Sequence, residues 1–318
     1  MMSWITYRLY CLFCIGICLP IISRADENTL IYGLQNTYSA CIGIDDALSD
    51  LKKMAGINTA ITGIGTGLGV GATVVGVVKS KRDQEIDEIV SELDSMGAIE
   101  IKSESQLYDV LAAAFDETGL PQGHDMAKAL RQEKERKEQQ SKKLGNWRTG
   151  LLAGNTATNI AGAIIASKNR ADGDLQNQIN NCKNAVTELR RIKAQARLDG
   201  IDTSEADKII SACDGFETAD ITKINQRAKG AMVSSIVGAT TGITGTITSA
   251  AANSDNVRSQ KDEKGGRTDK EKNLNTTSNV LAGTSTVASA TATVFNATQI
   301  KAIKDIATIA TQCTEALK

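Results

Sequence analysis

The stretch INTAITGIGTGLGVGATVVGVV, Ile57 to Val78, runs for twenty-two residues without a charge and contains six glycines. Gly63, Gly67 and Gly71 recur at every fourth position, which places them on one face of an α-helix. Each glycine lowers helix stability by about 1 kcal/mol relative to alanine, so we expect a second helix to pack closely on this face, as in a glycine zipper. Glycine at every second position is also typical of a strand, and this alternative stays open here.

Three further uncharged stretches, rich in small residues, follow at 149–167, 231–254 and 274–300. None of them alternates with period two, which favours helices for all four stretches. Aromatic residues make up only 3% of the chain, whereas sandwiches and barrels depend on aromatic and β-branched strands with frequent turns. The sequence therefore predicts an all-α fold of elongated antiparallel helical hairpins, forming a bundle or coiled coil that packs through glycine, alanine and threonine.

The N-terminus has the pattern of a secretory signal peptide. One positive charge precedes an apolar run from Leu9 to Ile22, and small residues at Ser23 and Ala25 suit cleavage before Asp26. The apolar run is too short to cross a bilayer comfortably. We predict that residues 1–25 are removed and that the chain is exported to the periplasm, the cell surface or the medium.

Four cysteines follow this segment, and an even number in an exported chain favours disulfides. Cys41 and Cys182 lie at nearly equal distances from the charged segment between them, and Cys213 and Cys313 are arranged in the same way about 255–272. If both arms of each hairpin are helical, the two cysteines of each hairpin lie at the same level along the helices. This predicts the disulfides Cys41–Cys182 and Cys213–Cys313. Pairing of Cys182 with Cys213, and of Cys41 with Cys313, stays open if the hairpins close into one bundle.

Two short motifs recur in the chain and predict an internal duplication. SACIG at 39–43 recurs as SACDG at 211–215, each at a similar distance before an uncharged stretch. LAG at 152–154 recurs at 281–283, and each copy is followed about thirty residues later by a cysteine. The matched order and spacing indicate two copies of one helical hairpin.

The chain therefore divides into three parts. The signal peptide occupies residues 1–25, the first hairpin unit occupies 26–200, and the second hairpin unit occupies 201–318. The first unit also contains a charged insertion at 83–143, dense in both signs of charge. Its amphipathic and highly charged segments predict a small helical head exposed to solvent.

No group of residues has the spacing of a catalytic, metal or nucleotide site. His124, the only histidine, lies in a turn, and nothing nominates a nucleophile for it. No cysteine pair has zinc-ligand spacing. The stretch Gly71–Ser80 resembles a phosphate-binding loop but displaces Lys79 from where it would reach phosphates. The net charge of −1 and the glutamates within the basic run argue against a nucleic-acid partner. We therefore predict no enzymatic activity, no cofactor, no metal and no nucleic-acid partner.

The uncharged stretches are long enough to span a bilayer, yet their threonine, serine and asparagine content makes insertion close to neutral. Trp147 beside Arg148 fits either a membrane-interface anchor or the start of a core helix, and we favour the core helix. We predict an exported, non-enzymatic structural or interaction protein that binds a protein partner or self-associates. The alternative is a membrane-active protein whose glycine-zipper hairpins insert into a bilayer.

Overall fold

The computed structural model describes residues 27–95, 122–171 and 173–318. The predicted signal peptide lies outside these ranges, as do residues 96–121 of the charged insertion. The described chain is helical apart from short connections and contains no strand. The all-α prediction is confirmed, and the strand alternative for the glycine-rich stretch is wrong, because all of its glycines lie within one helix.

Eight α-helices lie in the described ranges, and a short 3-10 helix at Asp214–Glu217 follows the fifth. They are α1 (Glu27–Cys41), α2 (Ile44–Ser95), α3 (Gln122–Lys168), α4 (Gly173–Leu198), α5 (Ser204–Cys213), α6 (Ile221–Ala252), α7 (Asp255–Arg258) and α8 (Asp269–Leu317). Gly43, with φ +85°, separates α1 from α2, and Gly200, with φ +76°, follows α4. Glycine suits both breaks because it adopts the left-handed backbone without a Cβ clash.

The described chain forms two compact units, each considered by itself. Unit 1 comprises residues up to Asp50 together with Ala171–Ile221 and Ile303–Lys318. Unit 2 comprises Leu51–Arg170 and Thr222–Ala302. Each of the two predicted hairpins therefore contributes to both units, and the internal duplication stays a prediction.

Unit 1 has an apolar core. Leu48, Leu189 and Phe216 are each at most 1% exposed, and the buried polar side chains among its described residues are three threonines. An ideal Cβ on Gly33 of α1 would lie 3.0 Å from Cδ1 of Ile192 on α4, so these two helices pack closely. The buried aliphatic side chains of α4 recur at helical spacing: Leu175, Ile179, Val186, Leu189 and Ile192.

Unit 2 is an antiparallel four-helix bundle built from parts of α2, α3, α6 and α8. Neighbouring helices meet in opposite residue order: Gly65 of α2 meets Thr158 of α3, whereas Gly76 meets Arg148. The same reversal relates α3 to α6, α6 to α8 and α8 to α2. The predicted helical bundle is therefore present in this unit.

The charged segments at 83–95 and 122–143 continue α2 and α3 without a break. These described parts extend two arms of the bundle, and the helical head stays a prediction for the insertion as a whole. Lys137 of α3 forms an ion pair with Glu85 of α2 at 2.7 Å, which links the extended arms. The pair is partly exposed, so solvent and salt screen its attraction.

Candidate functional site: a bundle with a polar core and an uncharged outer surface

The centre of unit 2 is polar. In the uncharged stretches the buried apolar side chains are alanines and Leu152. Asn159 Nδ2 donates to Asn155 Oδ1 at 2.9 Å and to Ser289 Oγ at 2.8 Å, and Asn155 Nδ2 donates to Ser285 Oγ at 3.0 Å. This network joins α3 to α8 across the bundle. Hydrogen bonds of this kind fix the alignment of the helices because a buried polar group without a partner is costly.

Further amide contacts continue the polar core toward one end of the bundle. Asn58 Nδ2 of α2 donates to Asn296 Oδ1 of α8 at 2.9 Å. Gln299 Nε2 donates to the backbone carbonyl of Asn169, which follows α3, at 2.8 Å. All four residues are nine-tenths or more buried. The interior of the bundle is therefore organised by directional bonds instead of large apolar side chains.

Buried glycines let neighbouring helices approach α2. An ideal Cβ on Gly69 would lie 2.5 Å from Thr286 Oγ1 and 3.0 Å from Asn155 Nδ2. An ideal Cβ on Gly76 would lie 2.5 Å from Asn279 Oδ1. A side chain at either position would displace these contacting groups, and a large one would overpack the interface at a cost of roughly 1–3 kcal/mol.

The predicted packing face of Gly63, Gly67 and Gly71 is wrong. Nothing lies within 4 Å of a Cβ built on Gly63 or Gly67, and a Cβ on Gly71 meets only a leucine side chain at 3.5 Å. The alternating glycines offer two helical faces, and the buried one also contains Asn58 and Thr62. Helical periodicity assumes that such polar residues face solvent, so it predicts that the opposite face, with Gly63, Gly67 and Gly71, is the packing face.

The outer surface of the bundle is apolar along the uncharged stretches. Ile64 on α2, Ile164 on α3, Ile247 on α6 and Val287 on α8 are between 54% and 68% exposed. A bundle that folds in water carries its apolar stripe inside and charged residues outside, so the uncharged stretches of unit 2 have these faces exchanged. The exposed large aliphatic residues of these stretches are Ile57, Ile64, Val70, Val74, Val77, Val78, Ile160, Ile164, Val233, Ile236, Val237, Ile243, Ile247, Val280, Val287 and Val294.

Exposed threonines between these aliphatic residues hydrogen-bond to their own helices. Thr240 Oγ1 donates to the carbonyl of Ile236 at 3.0 Å, and Thr291 Oγ1 donates to the carbonyl of Val287 at 2.8 Å. A hydroxyl that is satisfied four residues back in its helix does not depend on water. The same bond recurs at Thr244, Thr284 and Thr298.

Four exposed lysines bound the uncharged stretches at one end of the bundle, one on each helix. We call them the lysine ring: Lys53, Lys168, Lys229 and Lys301. Contacts next to these lysines place three of the helix ends at a similar level. The side-chain amide of Asn169 lies within 3.2 Å of the backbone of Leu51 and Ala55. The backbone carbonyl of Asn169 accepts a hydrogen bond from the side chain of Gln299.

The opposite end of the bundle contains a buried ionic cluster. Asp83 accepts from Lys79 Nζ at 2.7 Å and from Ser141 Oγ at 2.5 Å, and it pairs with Arg267 at 3.1 Å. Burial lowers the pKa of Lys79, and Asp83 opposes that shift. Removing one partner of such a buried pair costs about 3–5 kcal/mol. Lys79, the lysine of the loop-like stretch, is therefore held by a structural ion pair.

Two more charged side chains of this cluster are buried with weaker compensation. Arg148 is 1% exposed, and its Nε and Nη2 atoms have no hydrogen-bond partner among the described residues. Burial lowers the pKa of Arg148 to about 10. Glu271 is 2% exposed and lies 3.9 Å from Arg258, and burial raises its pKa. Desolvation therefore outweighs charge pairing at both sites.

Trp147 lies on the outside of the bundle near this cluster. It is 70% exposed, whereas the neighbouring Arg148 is buried. The prediction that Trp147 begins a core helix is wrong, because the arginine and not the indole takes the inward position. An exposed tryptophan near Lys142 and Lys143 is typical of a residue at a membrane–water interface.

Unit 1 contains both predicted disulfides. The Cα atoms are 4.7 Å apart in Cys41–Cys182 and 4.6 Å apart in Cys213–Cys313, within the ordinary range for disulfides. The rival pairing is not adopted. The Sγ atoms of Cys41, Cys182 and Cys313 lie within 4.8 Å of one another. Because metals bind thiolates, these sulfurs could ligate an ion only after reduction.

A polar groove of about 780 Å³ lies on unit 1. Ser39 in its wall donates through Oγ to the carbonyl of Gln35 at 2.6 Å, so its proton is committed to the backbone. The groove lining includes amides and carboxylates but no histidine, cysteine or lysine. No described pair of groups there has the arrangement of a nucleophile and its base. The side chain of His124 lies outside the described residues.

The segment Glu27–Ser95, which comprises α1 and α2, is long and apolar enough to cross a membrane by hydropathy. Its most apolar window has a mean hydropathy of 1.7, and 28% of that window is buried. The other described helices fall short of this criterion. Each helix of the bundle carries aliphatic residues on its outward face and amides and hydroxyls on its inward face. The inward polar residues lower the mean hydropathy of the helix.

Comparison with known proteins adds no relative: no family profile, curated protein or solved structure matches the chain. The function is therefore inferred from the geometry of the two units.

Proposed function

We propose that the protein is an exported, non-enzymatic membrane protein whose unit 2 bundle lies in the lipid bilayer. The observation that carries this proposal is the exchange of faces in unit 2, with a hydrogen-bonded polar core and an uncharged aliphatic outer surface. The membrane-active alternative from the sequence thereby becomes the leading function. The soluble structural or interaction protein becomes the second candidate.

The length of the uncharged surface fits a bilayer. The segments without charge are 54–78, 149–167, 230–254 and 273–300. At 1.5 Å per residue even the shortest extends about 28 Å, close to the roughly 30 Å thickness of the hydrocarbon core. All four helices of the bundle therefore have enough uncharged length to cross it.

The energetics of the bundle also favour lipid around it. In a bilayer, helices associate through close packing of small residues and interhelical hydrogen bonds, because lipid chains are as apolar as leucine. Gly69 and the Asn155–Ser285 bond supply both kinds of contact. Each half-exposed valine or isoleucine gains about 1 kcal/mol when its remaining surface leaves water. Sixteen such residues make the aqueous state of this surface unfavourable.

Unit 1 supports the exported location. Its two disulfides are typical of proteins in oxidising compartments. Its apolar core and largely polar exterior are typical of a domain that folds in water. In this proposal unit 1 is the water-soluble part of the protein and unit 2 is the membrane part.

The second candidate is a water-soluble interaction protein whose uncharged surface is covered by a protein partner or a second copy. The outer surface of α8 favours it, because Thr284 and Thr291 alternate there with Val280, Val287 and Val294. A threonine-rich surface tolerates water better than a purely aliphatic one. The two candidates differ in what contacts this surface.

Trp147 offers a direct test of the proposal. A processed chain that begins at Asp26 lacks Trp4, so Trp147 is its only tryptophan. Mixed with phosphatidylcholine vesicles, this chain should float with the vesicles and show blue-shifted emission. Lipids brominated near the headgroup should quench it more than lipids brominated at the chain ends. A chain that stays in the aqueous fraction with unchanged emission would contradict the proposal, and a discrete dimer in that fraction would support the second candidate.

A further inference from the structure

The lysine ring distinguishes one end of the uncharged surface from the other. Its four lysines are exposed, and none of them forms an ion pair with a described residue. Along α2 and α8 the carboxylates nearest to the ring are Asp50 and Asp305. In each helix the ring lysine lies between this carboxylate and the uncharged stretch. The first charges that follow the uncharged surface at this end are therefore all positive.

The opposite end differs in both charge and exposure. There the first charges are Lys79, Arg148, Asp255 and Lys272. Lys79 and Arg148 are buried, and Lys79 is paired with Asp83. The exposed residue Asp255 is negative and forms an ion pair with Lys142 at 2.6 Å. This end offers fewer free positive charges at the edge of the uncharged surface.

We propose that the lysine ring binds the phosphate groups of anionic glycerophospholipids in the leaflet that surrounds it. This inference rests on the proposed membrane location of unit 2. A lysine at the end of a membrane helix extends its aliphatic chain along the apolar surface and places its ammonium group at the level of the lipid phosphates. Four such lysines, one from each helix, surround the bundle with cationic groups.

Charge complementarity identifies the lipid class. A phosphatidylcholine headgroup carries no net charge, whereas phosphatidylglycerol and related lipids are anionic. Each lysine near an anionic leaflet contributes about 1 kcal/mol, or a factor of about five in binding. Allowing for screening by salt, we expect the four together to favour anionic vesicles by at least about tenfold.

The test compares two quadruple variants of the processed full chain. The ring variant carries Lys53→Gln, Lys168→Gln, Lys229→Gln and Lys301→Gln. The control variant has the same net charge and changes four exposed lysines that do not border an uncharged stretch: Lys128→Gln, Lys208→Gln, Lys270→Gln and Lys318→Gln. Each protein is floated with vesicles of phosphatidylcholine alone and with vesicles in which about a third of the lipid is phosphatidylglycerol. Circular dichroism establishes that each variant remains helical.

We expect the wild type and the control variant to partition at least about tenfold more strongly into the anionic vesicles, and the ring variant to lose most of this preference. All three should insert equally into phosphatidylcholine alone. Equal partitioning of the wild type into both kinds of vesicle, or equal losses in the ring and control variants, would overturn the lipid preference and leave the membrane location standing. Failure of the wild type to float with either vesicle would overturn the membrane location itself.

Discussion

Unit 1 and the uncharged stretches of unit 2 are both helical, yet they bury opposite kinds of side chain. Leu189 and Phe216 lie at the centre of unit 1, while Asn155, Asn159 and Ser289 lie at the centre of unit 2. Unit 1 can gain stability by removing aliphatic surface from water. Unit 2 leaves its aliphatic surface outside and gains from hydrogen bonds and close backbone contacts, which operate equally well in lipid.

One chain can therefore contain two kinds of helix packing. A polar core restricts which residues face one another, because a buried amide without a partner is costly. An apolar core of leucine and isoleucine fills volume and tolerates repacking more readily. We therefore expect a given perturbation to change the stability of one unit more than that of the other.

The largest effect should come from removing a disulfide. With Cys213→Ser and Cys313→Ser the loop of 100 residues is no longer closed, which costs about 4.7 kcal/mol in the chain-entropy account. Hydrogen exchange should show lost protection in α4 and α5, while the amides of α2 and α3 near Asn155 keep theirs. Equal loss of protection in both units would mean that they unfold together and are not independent.

A smaller effect should follow from leucine at a buried glycine of the bundle. A Cβ on Gly238 would lie 2.7 Å from Asn159 Oδ1, so Gly238→Leu should destabilise unit 2 by roughly 1–3 kcal/mol or more. Gly67→Leu is the matched control, because nothing lies within 4 Å of its Cβ. Replacing this exposed glycine should be neutral or stabilise the helix by up to about 1 kcal/mol. Thermal unfolding in lipid or detergent measures the stability change of both variants. Destabilisation by Gly67→Leu would indicate that Gly63, Gly67 and Gly71 form a packing face, as predicted from the sequence.

The smallest effect should come from Glu271 and depend on pH. Because burial raises the pKa of Glu271 above its ordinary value near 4.5, the folded protein binds the proton more tightly than the unfolded chain. The free energy of unfolding therefore falls as the pH rises from the pKa of Glu271 in the unfolded chain through its higher pKa in the folded protein. Glu271→Gln should stabilise unit 2 at neutral pH and make no difference in acid, where the wild-type carboxyl is protonated in both states. A stabilisation independent of pH would show that the ionised carboxylate is not its cause.

The helices, both disulfides and the lack of strands among the described residues were predictable because they depend on periodicity, composition and cysteine spacing. Prediction from the sequence failed for the packing face of α2 and for Trp147. Both errors have one cause: outward placement of polar residues such as Asn58 and Thr62 is correct for a helix in water and reversed in unit 2. Local pattern cannot reveal this reversal. It becomes visible only when the partners of those amides, such as Asn296, are known.

Val287→Asp tests most directly whether the outer surface of unit 2 faces lipid. Val287 is 68% exposed near the middle of its uncharged stretch, so an aspartate there contacts solvent in a soluble bundle and hydrocarbon in a membrane bundle. An aspartate at the centre of a membrane helix costs about 3 kcal/mol, which corresponds to roughly a hundredfold weaker partitioning into phosphatidylcholine vesicles. Thr276→Asp, near the end of the same stretch, is the control and should have little effect. We predict the hundredfold loss for Val287→Asp alone. Unchanged partitioning, or equal losses for both variants, would contradict a bundle that spans the bilayer.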